Sequence, residues 1–404
     1  MNGPVTVPGT TTGLVSGAEG APRRIAVLTT GRQDWGILRS VCIAVDAHPD
    51  LELDLGAGGM HRSPAHGNTI ADVRADGFAP VALDPWLPED PDAPLPTPEA
   101  QAAGAMTAVG SWLRAGRPAA LVLVGDRLET AAAALAATLA GVPIVHLHGG
   151  EQTFGAFDDA LRHAITKLAH LHLVSHAEHR RRVIALGEDP ATVHVIGAPG
   201  LDNLHRADLP DRAAIEERLG CDLAAPVVLV TVHPATLEAD GAATARAVAA
   251  AMAAVPATYV VTLPNADPGG DEVARTMLAA AGATGGVAVA ALGERAYWGL
   301  LRIAAAMLGN SSSGLIEASA VGLPVVNVGD RQAGRRRDEN VIDAPADADA
   351  VAGALRRALD PAFRAGLPAL EPPPDGRAGE RAARIIAAWQ PPIPPRKAPV
   401  VVEP

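Results

Sequence analysis

Short apolar runs recur through this chain, each ending in a polar turn and followed by a stretch with helical spacing. A first series lies at 24–29, 51–55, 119–124, 143–147, 171–175 and 193–196, with a minor run near Val81. A second lies at 226–232, 258–263, 287–290, 303–308 and 324–328. Apolar runs without polar alternation belong to strands buried on both faces, as in parallel sheets covered by helices. The helical stretches between them, among them 99–115, 129–139, 158–169, 241–255 and 348–359, are the crossovers that parallel strands require. The expected fold class is therefore α/β, in two halves that join near Gly197-Ala198-Pro199-Gly200-Leu201-Asp202.

Composition narrows the function. A hydrophobic content of 48% is ample for two cores, and the formal net charge of −12 argues against a nucleic-acid partner, which needs a basic face. Cys42 and Cys221 have no metal or disulfide spacing, which suits a reducing, cytoplasmic setting. Charged or small residues interrupt every apolar run before it reaches bilayer length, so no membrane partner is expected. Residues 1–22 and 391–404, rich in Gly, Thr and Pro, read as disordered tails.

Polar residues gather just after the apolar runs: Arg32 and Asp34, Asp126 and Arg127, Glu151, His233, Asn265, Ser311 to Ser313, and Asp330 with Arg331. In open parallel sheets, ligands bind outside the carboxyl ends of the strands, so clusters in both halves indicate one cleft between facing domains. The stretch Gly309-Asn310-Ser311-Ser312-Ser313-Gly314 reads as a turn entering a helix over 315–321, with Glu317 in its first turns. Free N–H groups, hydroxyls and a helix N-terminus make a phosphate seat, and a following carboxylate suits a ribose diol. Taken singly, each member has a plainer reading. Asp126 and Asp158 could cap helices, Glu151 could be solvated, and His233 could be a satisfied strand-end histidine. The pairs His146/His148 and His170/His172 share strand faces, but spacing supplies no third metal ligand. The run Arg335-Arg336-Arg337 stays open between a solvated loop and an anion clamp.

The motifs together resemble the UDP-N-acetylglucosamine 2-epimerase family, in particular its hydrolysing branch, from Arg24 to Ala388. The likeness runs through Gly31-Arg32-Gln33-Asp34-Trp35-Gly36, Gly59-Met60-His61-Arg62-Ser63-Pro64 and Gly125-Asp126-Arg127-Leu128-Glu129. It continues through His146-Leu147-His148-Gly149-Gly150-Glu151, Phe157-Asp158-Asp159-Ala160-Leu161-Arg162 and Val232-His233-Pro234-Ala235-Thr236-Leu237-Glu238. Pro264-Asn265-Ala266-Asp267, the serine turn, and Asn327-Val328-Gly329-Asp330-Arg331-Gln332 complete it. Two departures stand out: Gly31 precedes Arg32, and His148 occupies a position where the family often has Glu.

The resemblance implies a GT-B-like pair of facing Rossmann-type domains with a central cleft: 23–200 carrying the catalytic acids and 201–376 holding UDP, with a helix at 377–390 packing back on the first. It implies loss of UDP from C1 with removal of the C2 proton, then hydration of the resulting 2-acetamidoglucal with inversion at C2. N-acetylmannosamine and UDP would be released. Asp126, Glu151, Asp158, His233, Arg162 and His148 would be catalytic. Arg32, Asp34, His61, Asn265, Ser311, Ser312, Ser313, Gly314, Glu317 and Arg331 would bind the UDP-N-acetylhexosamine. Neither a cofactor nor a metal is required, and a homodimer or homotetramer is expected. A reversible epimerase, a different 2-acetamido sugar, and a GT-B glycosyltransferase are the alternatives.

Overall fold

The structure is a computed structural model that describes residues 21–154, 156–235, 240–265, 267, 269–368 and 374–397. The first sheet contains β1 (Arg23–Thr29), β2 (Leu51–Ala57), β3 (Val81–Ala82), β4 (Ala120–Val124), β5 (Ile144–Leu147), β6 (Leu171–Val174) and β7 (Val193–Val195). The second contains β8 (Val227–Thr231), β9 (Thr258–Thr262), β10 (Val287–Val289), β11 (Ala306–Gly309), β12 (Val325–Val328) and β13 (Val341–Ala344). All pairings are parallel, in the orders β3-β2-β1-β4-β5-β6-β7 and β10-β9-β8-β11-β12-β13. Each sheet is therefore doubly wound, and strand order reverses between β1 and β4 in one and between β8 and β11 in the other. These switch points leave a crevice at the carboxyl ends.

The chemistry of the runs explains the strands. Ala-Leu-Val-Leu-Val of β4 and Val-Val-Leu-Val-Thr of β8 are buried throughout, and their β-branched side chains suit a pleated surface covered on both sides. The helix Pro98–Gly116 starts with Pro98 behind the Thr97 cap and stops where Arg117 turns left-handed. It packs on the helix Leu128–Ala140 through small residues, Ala105 and Ala108 against Ala133 and Ala136, within one core.

The helix Ala378–Ala388 crosses back to the first domain, burying Ala382, Ala383 and Ile386 beside Ile25, Val27 and Val45. Burial of Ile386 alone contributes about 2 kcal/mol. The Asp202 carboxylate accepts from the Ala378 and Gly379 amides at 3.1 and 2.8 Å. Arg23 donates to the carbonyls of Ile386, Ala387 and Trp389 at 2.7–2.8 Å, fastening the first strand to the last helix.

Several expectations need correction. The serine turn does not enter a helix over 315–321: a 3-10 turn, Ser312–Gly314, is followed by a single short turn, Glu317–Ala320. The helix Arg32–Asp46 begins at once after β1. The edge strand β13 and the helix Pro361–Ala365 were not expected. β13 is short and half-exposed, so it carries neither a buried apolar run nor a clean alternation. Residues 391–397, read from sequence as part of a disordered tail, lie on the first domain, where Lys397 pairs with Glu188 and donates to the Lys167 carbonyl at 2.9 Å. Residues 1–20 and 398–404 lie outside the described residues, as do Thr236, Leu237, Glu238 and Ala266 of the matched motifs. Among the described residues no helix is long and apolar enough to cross a membrane.

Candidate active site

The crevice holds a cavity of about 240 Å³ whose wall comes from the strand ends of both sheets. On the first-domain side, Asp126 follows β4, and Asp158 opens the helix Asp158–Leu168. One turn along that helix, the buried Arg162 pairs with Asp126 and donates to Thr153 Oγ1 at 3.0 Å. Its Nε and Nη1 have no protein partner, which leaves hydrogen-bond donors for a bound anion or hydroxyl.

His148 stands beside them after β5 with φ +63°, a left-handed conformation that costs a non-glycine residue about 1–2 kcal/mol. Its Nδ1 lies 2.5 Å from Glu151 Oε1, while Arg335 Nη1 donates to Glu151 Oε2 at 2.7 Å and Ser175 Oγ donates to Oε1 at 3.2 Å. Burial alone would raise the Glu151 pKa. Arg335 and then His148 outweigh it and hold the carboxyl far below its ordinary range. An ionised Glu151 fixes the proton on His148 Nδ1. Nε2 of the same ring is buried and has no partner among the described residues, and the residue lies on the cavity wall.

The opposite wall is supplied by the second domain. The His233 amide donates to Asn310 Oδ1, and Asn310 Nδ2 donates to the His233 carbonyl, both at 2.8 Å, so one amide side chain fixes the backbone after β8. Burial and then Arg331 drive the His233 pKa well down, making it neutral. Asn265 lies at the end of β9, and Ser311, Ser312 and Ser313 follow β11. The turn's Gly314, Leu315 and Ile316 amides bond within the turn, and Ser311, Ser312 and Ser313 line the cavity. Ser313 Oγ accepts from the Tyr297 hydroxyl at 2.7 Å. Glu317 is half-buried, its buried Oε2 has no partner among the described residues, and burial raises its pKa. Arg331 donates to the Asn310 carbonyl at 3.2 Å.

Fourteen of the sixteen candidate residues line this cavity, and two do not: His61 and Gly314. His61 is fully buried, with one ring nitrogen 2.8 Å from Thr29 Oγ1 and the other 2.8 Å from Thr69 Oγ1, so it fixes the loop after β2. Gly314 packs on Val325, where a Cβ would approach to 2.8 Å. Arg32 reaches across the cleft, donating to the carbonyls of Leu263 (2.5 Å) and Ala290. The Asp34 carboxylate caps its own helix entry, accepting from the Thr30 amide at 2.8 Å and hydroxyl at 2.6 Å, and burial pushes its pKa up to about 6. Arg335 and Tyr297 join the wall without having been singled out as binding residues. No spacing rule could place Arg335, because its partner Glu151 lies in the other domain.

Two parallel doubly wound domains, with acids on one wall and a hydroxyl-rich turn on the other, define a nucleotide-sugar enzyme of the GT-B-like class. Residues 43–387 match the model of the UDP-N-acetylglucosamine 2-epimerase family, and the chain belongs to that family. It is 34% identical to a Legionella pneumophila protein named UDP-N,N'-diacetylbacillosamine 2-epimerase (hydrolyzing), over 84% of this chain and 89% of that relative. It is 32% identical to a Campylobacter jejuni protein named GDP/UDP-N,N'-diacetylbacillosamine 2-epimerase (hydrolyzing), over 80% and 84% of the two chains. The fold is similar to that of the UDP-GlcNAc 2-epimerase from Neisseria meningitidis bound to UDP-GlcNAc, with a TM-score of 0.73, 14% identity, and 90% and 99% coverage.

Proposed function

We propose that this chain is a hydrolysing 2-epimerase of a UDP-2-acetamido sugar, releasing UDP and the free C2-inverted sugar. The observation that carries the reading is the His148–Glu151–Arg335 relay, which sets the His148 ring on the wall of a cavity that Asp126 and Asp158 also line. In the first step UDP leaves C1 with the bonding electrons, and a base removes the C2 proton. That proton is weakly acidic until positive character builds at C1, so donors to the leaving diphosphate must act early. Ser311, Ser312, Arg331 and a repositioned Arg32 would supply them, and Glu317 would hold the ribose. His148 Nε2 would take the C2 proton, with Glu151 orienting it. Water then adds across the glucal. Because C2 inverts, the group that returns a proton must differ from the one that removed it. Asp126 or Asp158 would return it.

UDP-N-acetylglucosamine is the substrate that the motifs imply. The relatives' printed names favour a second reading, a 2,4-diacetamido sugar on the same nucleotide. Incubation of each with the protein in heavy water, read by proton NMR, tests both. The expected result is deuterium at C2, free sugar and UDP. Formation of an epimeric UDP-sugar without free sugar would instead make the enzyme reversible, and intact substrates would overturn the reading. We further propose a cytoplasmic homo-oligomer, supported by Leu135 (49% exposed) and Leu139 (80% exposed) on the helix Leu128–Ala140. Sedimentation equilibrium tests the assembly; a monomer would refute it.

A further inference from the structure

Arg127, beside Asp126, does not face the cleft alone. Its Nη2 lies 3.2 Å from Asp267 Oδ1, on the loop after β9 in the other domain, and its Nε lies 3.4 Å from Glu129 Oε2. Arg127, Asp158 and Asp267 line one small cavity beside the main one. Carboxyl groups from both domains thus gather round one guanidinium: Glu129 and Asp267 pair with it, and Asp158 shares the cavity wall. The Asp267 side chain is 14% exposed, so water screens the pair weakly.

We propose that Asp158 and Asp267 form an acid pair across the cleft, in which Asp158 donates the proton and Asp267, clamped by Arg127, positions it. The inference rests on the epimerase reading given above. Like charges a short way apart in a poorly hydrated site cannot both ionise freely, and the partner with the better cation keeps its charge. For Asp267, burial raises the pKa, but Arg127 and Arg331 bring it below the ordinary value. For Asp158, burial and then Asp267 raise the pKa, with Arg127 and Arg331 opposing. These are the charged groups that face Asp158: Arg127 after β4, Asp267 after β9 and Arg331 after β12.

The pair fits the hydration step. The Asp158 O–H bond breaks and its proton forms the new C2–H bond of the glucal. The oxygen of water bonds to C1, and the proton lost by that water returns to Asp158. The proton removed from C2 in the first step leaves His148 for solvent, so atoms and charge balance with UDP as the leaving group. Asp267 touches no reacting atom; it keeps the neighbouring acid loaded.

Asp267→Asn, Asp267→Glu and Asp158→Asn test this. Asp267→Asn removes the charge that raises the Asp158 pKa and frees Arg127 to lower it. The alkaline limb of the kcat profile is expected to move down by at least about one pH unit, with kcat reduced ten-fold or more at pH 8 and UDP affinity within two-fold of the parent. Asp267→Glu is expected to restore the limb. The protonated-carboxyl infrared band of the UDP complex that is lost in Asp158→Asn should titrate away at a lower pH in Asp267→Asn than in the parent. An unshifted limb in an active Asp267→Asn variant overturns the pair, as does an Asp158 band that titrates away at the parent's pH in Asp267→Asn. Absence of turnover in the parent protein would instead refute the epimerase reading, and the infrared comparison still decides the pair.

Discussion

His148 shows most clearly what one residue contributes here. Its strained backbone, its bond to Glu151 and its unpartnered Nε2 assign separate tasks to two neighbours that the sequence leaves equivalent. His148→Gln is expected to lower kcat by about 10²–10⁴-fold, the usual contribution of a general base. Glu151→Gln should lower it less, because the imidazole remains in place without its orienting charge. Both should bind UDP normally by calorimetry; a large loss of UDP affinity in either would place the residue on the nucleotide instead. The motif His146-Leu147-His148-Gly149-Gly150-Glu151 was legible as a site. The division of labour within it was not, since it depends on Arg335, which lies 184 residues away from Glu151 in the chain. For the same reason His61 looked like a ligand from its motif, although two threonine hydroxyls occupy its nitrogens.

At the scale of elements, the strands and crossovers were readable because burial on both faces leaves an uninterrupted apolar signature, as in β4 and β8. β13 escaped because an edge strand lacks that signature. The serine turn was readable as a site and misread as a helix start. Gly309 ends β11 at φ +138°, and a Cβ there would lie 1.9 Å from the Thr231 carbonyl oxygen. Gly309→Ala should therefore distort the β8–β11 junction and lower the melting temperature, whereas a change in the turn itself should not. Ser312→Ala is expected to weaken UDP binding about five-fold, the loss of one hydrogen bond of about 1 kcal/mol, and Glu317→Ala more. Calorimetric titration with UDP measures both. Unchanged affinity in the two variants would remove the turn from the nucleotide site.

Across the whole molecule, buried histidines set the response to acid. His61 and His146 are fully buried, and burial lowers the pKa of each to about 3 from 6.5. In the unfolded chain they take up protons at a higher pH than in the fold, so stability is complete above pH 6.5 and falls as pH drops toward 3. Each should cost about 2 kcal/mol between pH 6.5 and pH 5. The urea midpoint should decrease accordingly, and His61→Gln should flatten the slope; an unchanged midpoint from pH 7.5 to pH 5 would contradict the assignment. The domains also meet at Arg206, which lies 2.8 Å from Asp76 in the first domain and 2.5 Å from Glu294 in the second. Removing one member of such a buried set leaves charges uncompensated, so Arg206→Met should destabilise by about 3–5 kcal/mol, seen as a lower or split thermal transition. The return of the helix Ala378–Ala388 to β1 makes the second domain an insertion between two parts of the first. A tether pulled at both ends would load the Arg23 clasp to Trp389 and the β1 core before any strand of the second sheet. Under force the first domain is the mechanical fuse, and the second sheet would still be folded when it gives way.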